Sequence, residues 1–253
     1  MKIKLLTIIV LIGFSSLIQA LPASLEQQIN AHISTFQADE SVAQKDIAKS
    51  LEWAGISDPR LFNLIEAKLL DSYLTAKNKQ NVEYLSWMAK ALSFSGQQQY
   101  RTTLEKVASD SAHAKLRKHA QKAINILPNY TYWNSLIIDE KHWDNTQSLD
   151  TNRFLAMINS DVLELKRLAA KRIYYTHLYQ DILLDTLEKQ LLDNYQVDRR
   201  GKLFSDSWAW ICKALASSRK KQYQDTIKKV AISAENSKLK RYANKYLHHF
   251  DSQ

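Results

Sequence analysis

Apolar residues along this chain recur at intervals of three and four. Leu25, Ile29, Ile33 and Phe36 set the spacing, and Val42, Ile47, Ala48 and Leu51 and then Leu61, Leu64, Ile65 and Leu69 repeat it. That interval gathers apolar side chains on one stripe of a helix and does not match the alternation of a half-buried strand. The pattern predicts helices over 24–36 and from about 41 to Trp53, where Gly55 is placed to stop the second. Ser57-Asp58-Pro59 offers a capping side chain followed by Pro at the first helical position, and predicts a third helix running to about Tyr73. Lys77 to Gln80 is a polar turn. Val82–Phe94 is the next helix, closed by Gly96, and shorter helices follow near Gln98–Ser109 and Lys115–Leu127. Pro128 reads as a stop, and residues 128–150 read as a connector, rich in aromatics and without clear period.

The pattern then restarts, residue for residue. WMAKALSFSGQQQYRTTLEKVASDSAHAKLRKHAQKAI, from Trp87 to Ile124, matches WICKALASSRKKQYQDTIKKVAISAENSKLKRYANKYL, from Trp210 to Leu247, without a gap. Asp46–Tyr73 aligns on Leu168–Tyr195 in the same way, and Asn152–Ile158 answers the first helix. The offset is 122 in the earlier part and 123 in the later, so one residue is inserted around Asp198–Gly201. A self-match at fixed spacing is the mark of a repeat architecture. The expected division is a leader over 1–20, a first half over 21–127, a connector over 128–150 and a second half over 151–253. Trp87 and Trp210, with Leu92 and Leu215 five positions on, read as matching core residues.

Within each half the helices come as pairs. DIAKSLEWAGISDPRLFNLIEAKLLD joins a small-residue helix to a Leu- and Ile-rich one through a turn, and WMAKALSFSGQQQYRTTLEKVA does so again with Gly in the turn. These units resemble HEAT repeats of the short bacterial kind over most of Ser41–Phe250. Gly55 and Gly96 fit the usual turn, whereas His177 and Arg219 stand at the matching places of the second half and depart from it. The resemblance implies an all-α fold, an α-solenoid in which stacked pairs share one core, and a surface used for binding proteins. HEAT-like repeats also build alkylpurine DNA glycosylases. An exported chain meets little genomic DNA, however, and no nucleic-acid partner is expected.

Composition narrows the classes further. Four Gly and three Pro in 253 residues leave too few turn formers for a sheet-rich fold and no Gly-rich phosphate loop. The opening MKIKLLTIIVLIGFSSLIQA has a short basic region, an apolar run and Ile18 and Ala20 at positions that suit a cleavage site, and reads as a secretory signal peptide cleaved after Ala20. The destination would then be a periplasm or the cell exterior. Cys212 is the sole cysteine, which rules out a disulfide within the chain, and it aligns with Ala89 as a small buried residue. The formal charge is +9, of which Lys2 and Lys4 lie in the leader.

No HExxH, no G-x-S-x-G and no catalytic cysteine signature occurs, so no cofactor or metal is expected. An active site assembled from dispersed residues stays open as an alternative. Two features could bind. Lys115, Lys118 and Lys122 recur at three and four residues on one helix, and Lys238, Arg241 and Lys245 do so at the matching place of the second half. They are either solvated faces copied by duplication or ridges that meet an acidic protein, an anionic lipid or a polysaccharide. Tyr130, Tyr132, Trp133 and Trp143 of the connector are either an exposed recognition patch or the filling of a seam between the halves.

Overall fold

The computed structural model describes residues 23–38, 40–197, 199 and 201–251. The expected leader lies outside them, as do residues 198 and 200 beside the one-residue insertion. The described chain is all-α, with twelve α-helices, short 3-10 turns and no strand. The first six are α1 (Ala23–Gln37), α2 (Ser41–Ser50), α3 (Pro59–Ser72), α4 (Lys79–Phe94), α5 (Arg101–Asp110) and α6 (Ala114–Ile137). The second six are α7 (Leu149–Asn159), α8 (Leu163–Thr176), α9 (Asp181–Asn194), α10 (Lys202–Ser217), α11 (Gln224–Ser233) and α12 (Ser237–Asp251). None is long and apolar enough to cross a membrane.

Each odd helix packs on the even helix that follows it. Even helices also pack on even neighbours, α2 on α4 on α6 and α8 on α10 on α12, while α1, α3 and α5 line up behind the first three. Two apolar clusters result, one built from residues between Leu25 and Tyr130 and the other from residues between Ile137 and Phe250. Contacts repeat with the sequence offset. Tyr100 donates its hydroxyl to Asn63 Oδ1 at 2.9 Å, and Tyr223 donates to Asp185 Oδ1 at 2.7 Å. Lys45 pairs with Glu83 at 3.4 Å, and Arg167 with Asp206 at 3.0 Å. Both tyrosines are buried, so their hydroxyls tie an odd helix to a neighbouring turn and do not reach solvent.

The turns carry the same register in their backbone. Gly55 and Gly96 have φ of 65° and 68°, and His177 and Arg219, their counterparts, have φ of 55° and 58°. The left-handed turn survives the loss of glycine, although a Cβ there costs about 1–2 kcal/mol. What the first copy adds explains why its glycines cannot go. A Cβ on Gly96 would stand 2.6 Å from the backbone of Tyr130 and Thr131, and one on Gly55 would stand 2.5 Å from Ile138. His177 and Arg219 are exposed, with their side chains free to leave the turn.

The obstacle is α6, and here the expectation of a loop after Leu127 is corrected. Pro128 lies inside α6, on its exposed side, and the helix continues to Ile137. Pro removes one backbone donor and disfavours a helix interior, but tertiary contacts outweigh that cost here. Leu127, Tyr130, Asn134 and Ile137 form a buried stripe at three and four residues. Asn134 Nδ2 donates to the carbonyls of Phe94 and Ser95 at 2.9 and 3.1 Å, and Thr131 Oγ1 donates to that of Gly96 at 2.6 Å. The overhang thus satisfies carbonyls at the end of α4 that a bare helix terminus leaves without partners. Trp133 touches both apolar clusters, and Arg172 of α8 pairs with Glu52 while its guanidinium lies 4.3 Å from the ring centroid of Trp53.

Helix α7 is buried on every side from Thr151 to Ile158. Its Arg153 is fully buried, yet it donates to Asp150 at 3.1 Å and to Gln28 of α1 at 2.8 Å. Beside it, His32 of α1 is half-buried, with Nε2 buried and without a hydrogen-bond partner in the structure. Cys212 is fully buried, and burial pushes its thiol far above the usual range, as a small packed residue requires.

Candidate functional site

Both basic helices present their charge outward: Lys115, Lys118, Lys122, Lys238, Arg241 and Lys245 are all exposed. Helix α6 starts where His113 Nδ1 accepts from the Lys115 amide at 3.1 Å, which fixes the register of its three lysines. His119 sits among them, half-buried. Its pKa is lowered, first by burial and then by the charges of Lys90, Lys115, Lys122 and Lys118. Lys90 comes from the adjacent α4. Burial lowers its pKa too, Glu52 and Glu83 oppose that, and Lys115 and Lys122 reinforce it. Helices α4 and α6 therefore pool their cations in one field.

Lys90 was missed in the sequence, and so was what it does. Its Nζ lies 3.7 Å from the ring centroid of Trp87, one helical turn away. The pair recurs in the second copy, where Lys213 Nζ lies 4.6 Å from the centroid of Trp210. Trp87 and Trp210 are half-buried, so the expectation that they fill the core is corrected: each rests one side on an apolar cluster and offers the other to a lysine. The residue that does fill the core is Trp208, 1% exposed. A Trp-x-x-Lys spacing in both copies was the available signal.

The second copy enlarges the motif. Tyr174, Tyr175 and Trp210 lie with ring centroids 5.0 to 5.8 Å apart. Lys213 is 4.1 Å from the Tyr174 ring, and Lys171 is 5.5 Å from that of Trp210. Tyr175 is 58% exposed, so the cluster opens on solvent. His249 of α12 has its pKa lowered by burial first, then by Lys213, Arg219, His248 and Lys245, which shows α10 and α12 sharing a cationic field as α4 and α6 do.

The connector aromatics do not assemble into one patch. Tyr130 is buried and donates its hydroxyl to the Glu52 carbonyl at 2.9 Å. Its ring meets Trp133 edge-on at 5.1 Å, and Trp133 bridges the two clusters. Tyr132 points away, 59% exposed, and Trp143 is half-buried farther along the chain. A helix through Pro128 separates these side chains onto opposite faces, and two of them fill the seam.

Pockets lie between helices of the described residues. One of about 390 Å³ is bounded by Leu25, Ile29, the 55–59 turn and the end of α6; another of about 320 Å³ lies between α5 and α6. A third, about 220 Å³, lies between α10 and α12 and is lined by Lys202, Ser205, Asp206, Lys238, Arg241 and Tyr242. Each holds a single carboxylate, and each is already in an ion pair: Asp58 with Arg60 at 2.5 Å, Glu105 with Arg101 at 2.9 Å and Asp206 with Arg167 at 3.0 Å. None offers a free carboxylate. Among the described residues, no group of three His, Cys, Asp or Glu side chains is placed to hold a metal ion.

No family model, no curated protein and no solved structure matches this chain.

Proposed function

We propose that this chain is a non-catalytic α-solenoid of HEAT-like helix pairs in two tandem halves, exported after loss of residues 1–20, that docks another protein on the exposed side of its even-numbered helices. The row-on-row packing and the two apolar clusters support the architecture. One observation carries the docking reading. Both copies set a half-exposed Trp under a Lys and flank it with a helix of exposed cations. Large aromatic residues anchor protein interfaces, and a basic surround steers and orients an acidic partner. A face kept only for solubility needs the cations but not the tryptophans.

A second reading, an anionic envelope lipid or polymer as the ligand, draws on the same cations. In-cell photocrosslinking from positions 87 and 210 separates the two. The docking reading expects a discrete crosslinked protein species that disappears when Lys115, Lys118, Lys238 and Arg241 are all changed to Glu. Recovery of the chain alone from every crosslinking position would sink it, and charge-dependent sedimentation with anionic vesicles would then favour the lipid.

A further inference from the structure

The pocket between α10 and α12 rests on the second of these readings and narrows it, because two of the shared cations, Lys238 and Arg241, meet Lys202 there around one concavity. Both helices begin beside it: Lys202 is the first residue of α10, and Lys238 is the second of α12. Lys202, Lys238 and Arg241 converge on a space of about 220 Å³. None of the three makes an ion pair among the described residues. Asp206 shares the wall, but Arg167 of α8 answers its charge at 3.0 Å. Three unanswered cations around one concavity repel one another, and a bound anion relieves that repulsion.

The copies differ in how they close this place. In the first, the Asn78 side chain caps α4, its Oδ1 accepting from the Asn81 amide at 2.8 Å. In the second, α10 starts at Gly201 with no side-chain cap. The amides at its start are therefore open to a ligand as well as to water. Asn236 caps α12 instead, accepting from the Leu239 amide at 3.1 Å, and the same Oδ1 lies 3.2 Å from the donating Ser205 hydroxyl. That bridge holds the two helix starts together at fixed separation. Lys79, Lys115 and Lys118 stand in the first copy where the second has Lys202, Lys238 and Arg241, but Val82 and His113 replace Ser205 and Asn236, so the bridge between the helix starts belongs to the second copy.

We infer that the α10–α12 pocket binds a phosphate or sulfate group, held by Lys202, Lys238 and Arg241 with the uncapped start of α10. Arg241 supplies the planar fork that suits a tetrahedral oxyanion, and its guanidinium lies 5.4 Å from the centroid of the Tyr242 ring.

The test titrates inorganic phosphate and, separately, sulfate into the full chain at constant ionic strength, read by calorimetry. Saturable binding is expected in the parent and in K115Q/K118Q, with affinity at least about tenfold weaker in K238Q/R241Q. Lack of saturable binding, or equal weakening in both double variants, overturns the inference, because the effect would then be the general positive field. A second arm uses phosphatidylglycerol vesicles and a sulfated polysaccharide as probes. Inorganic phosphate displacing the vesicles marks a lipid headgroup as the source, and displacing the polysaccharide marks a sulfate ester. The anion is measured on the isolated chain, so failure here leaves the crosslinking result standing, and the reverse also holds.

Discussion

Gly96 and Arg219 occupy the same left-handed turn in the two copies, and substituting each should move stability in opposite directions. An Ala at position 96 pays about 1–2 kcal/mol for a Cβ at positive φ. Its Cβ would also stand 2.6 Å from the Thr131 nitrogen and the Tyr130 carbonyl carbon, and 2.7 Å from the Tyr130 oxygen. Those are backbone atoms of a helix and cannot swing aside, so the overhang of α6 must withdraw. Withdrawal stretches the Thr131 bond to Gly96 and the Asn134 bonds to Phe94 and Ser95, each worth about 1 kcal/mol. The expected loss for Gly96→Ala is about 3–5 kcal/mol. At Arg219, φ is 58° and the residue is exposed, so Arg219→Gly releases strain, offset in part by a freer unfolded chain, for a net gain of about 0.5–1 kcal/mol. Urea denaturation followed by helical circular dichroism measures both. A G96A protein within 1 kcal/mol of the parent, or an R219G protein less stable than the parent, would refute the account of these turns.

Two further outcomes follow from the buried interior. His32 has its pKa lowered to about 4, by burial first and by Arg153 second. The unfolded chain takes up that proton near its ordinary value of about 6.5, so the stability tied to neutral His32 is complete above 6.5 and is lost as pH falls toward 4. The full shift corresponds to about 3 kcal/mol, which partial solvent access reduces to about 2. His119 and His249 add to the slope with the same sign, so the decisive quantity is the difference: His32→Leu should flatten the parent's loss between those pH values by that amount, and superimposable pH profiles would dismiss the reasoning. Trp133 joins both apolar clusters, and Trp133→Ala should cost about 2–3 kcal/mol and split the calorimetric unfolding into two transitions; a single transition at the parent's midpoint would contradict its bridging role.

The helix plan of each copy was legible because local chemistry marks it. Asp58 accepts from the Arg60 amide at 2.8 Å, with Pro59 beside it, and the start predicted from Ser57-Asp58-Pro59 is where α3 begins. Gly55 and Gly96 close their turns at positive φ, which is what glycine there signals. The α6 overhang was hidden for the opposite reason. Pro128 is a local stop signal, and Asn134 interrupts the apolar stripe, yet Pro128 faces solvent and Asn134 finds partners far away in sequence, the carbonyls at the end of α4. The candidate surface was legible in half. Period alone placed the six exposed cations on common faces. It could not say whether the edge of a stripe is covered, and so assigned Trp87 and Trp210 to the core when each lies at the rim beneath a lysine. Burial of Arg153 was only half signalled: Asp150 stands three residues before it, but the other acceptor is Gln28 of the other copy.

The overhang of α6 also makes the order of the copies irreversible. Two duplicated units could in principle be exchanged, or a third inserted, wherever their surfaces match. Here the leading unit needs bare Cα atoms at Gly55 and Gly96 because a helix crosses them, while the trailing unit has filled the same places with His177 and Arg219. A chimera with the units transposed would drive two side chains into a passing helix and leave two glycines uncovered. Each copy has become committed to its own place in line.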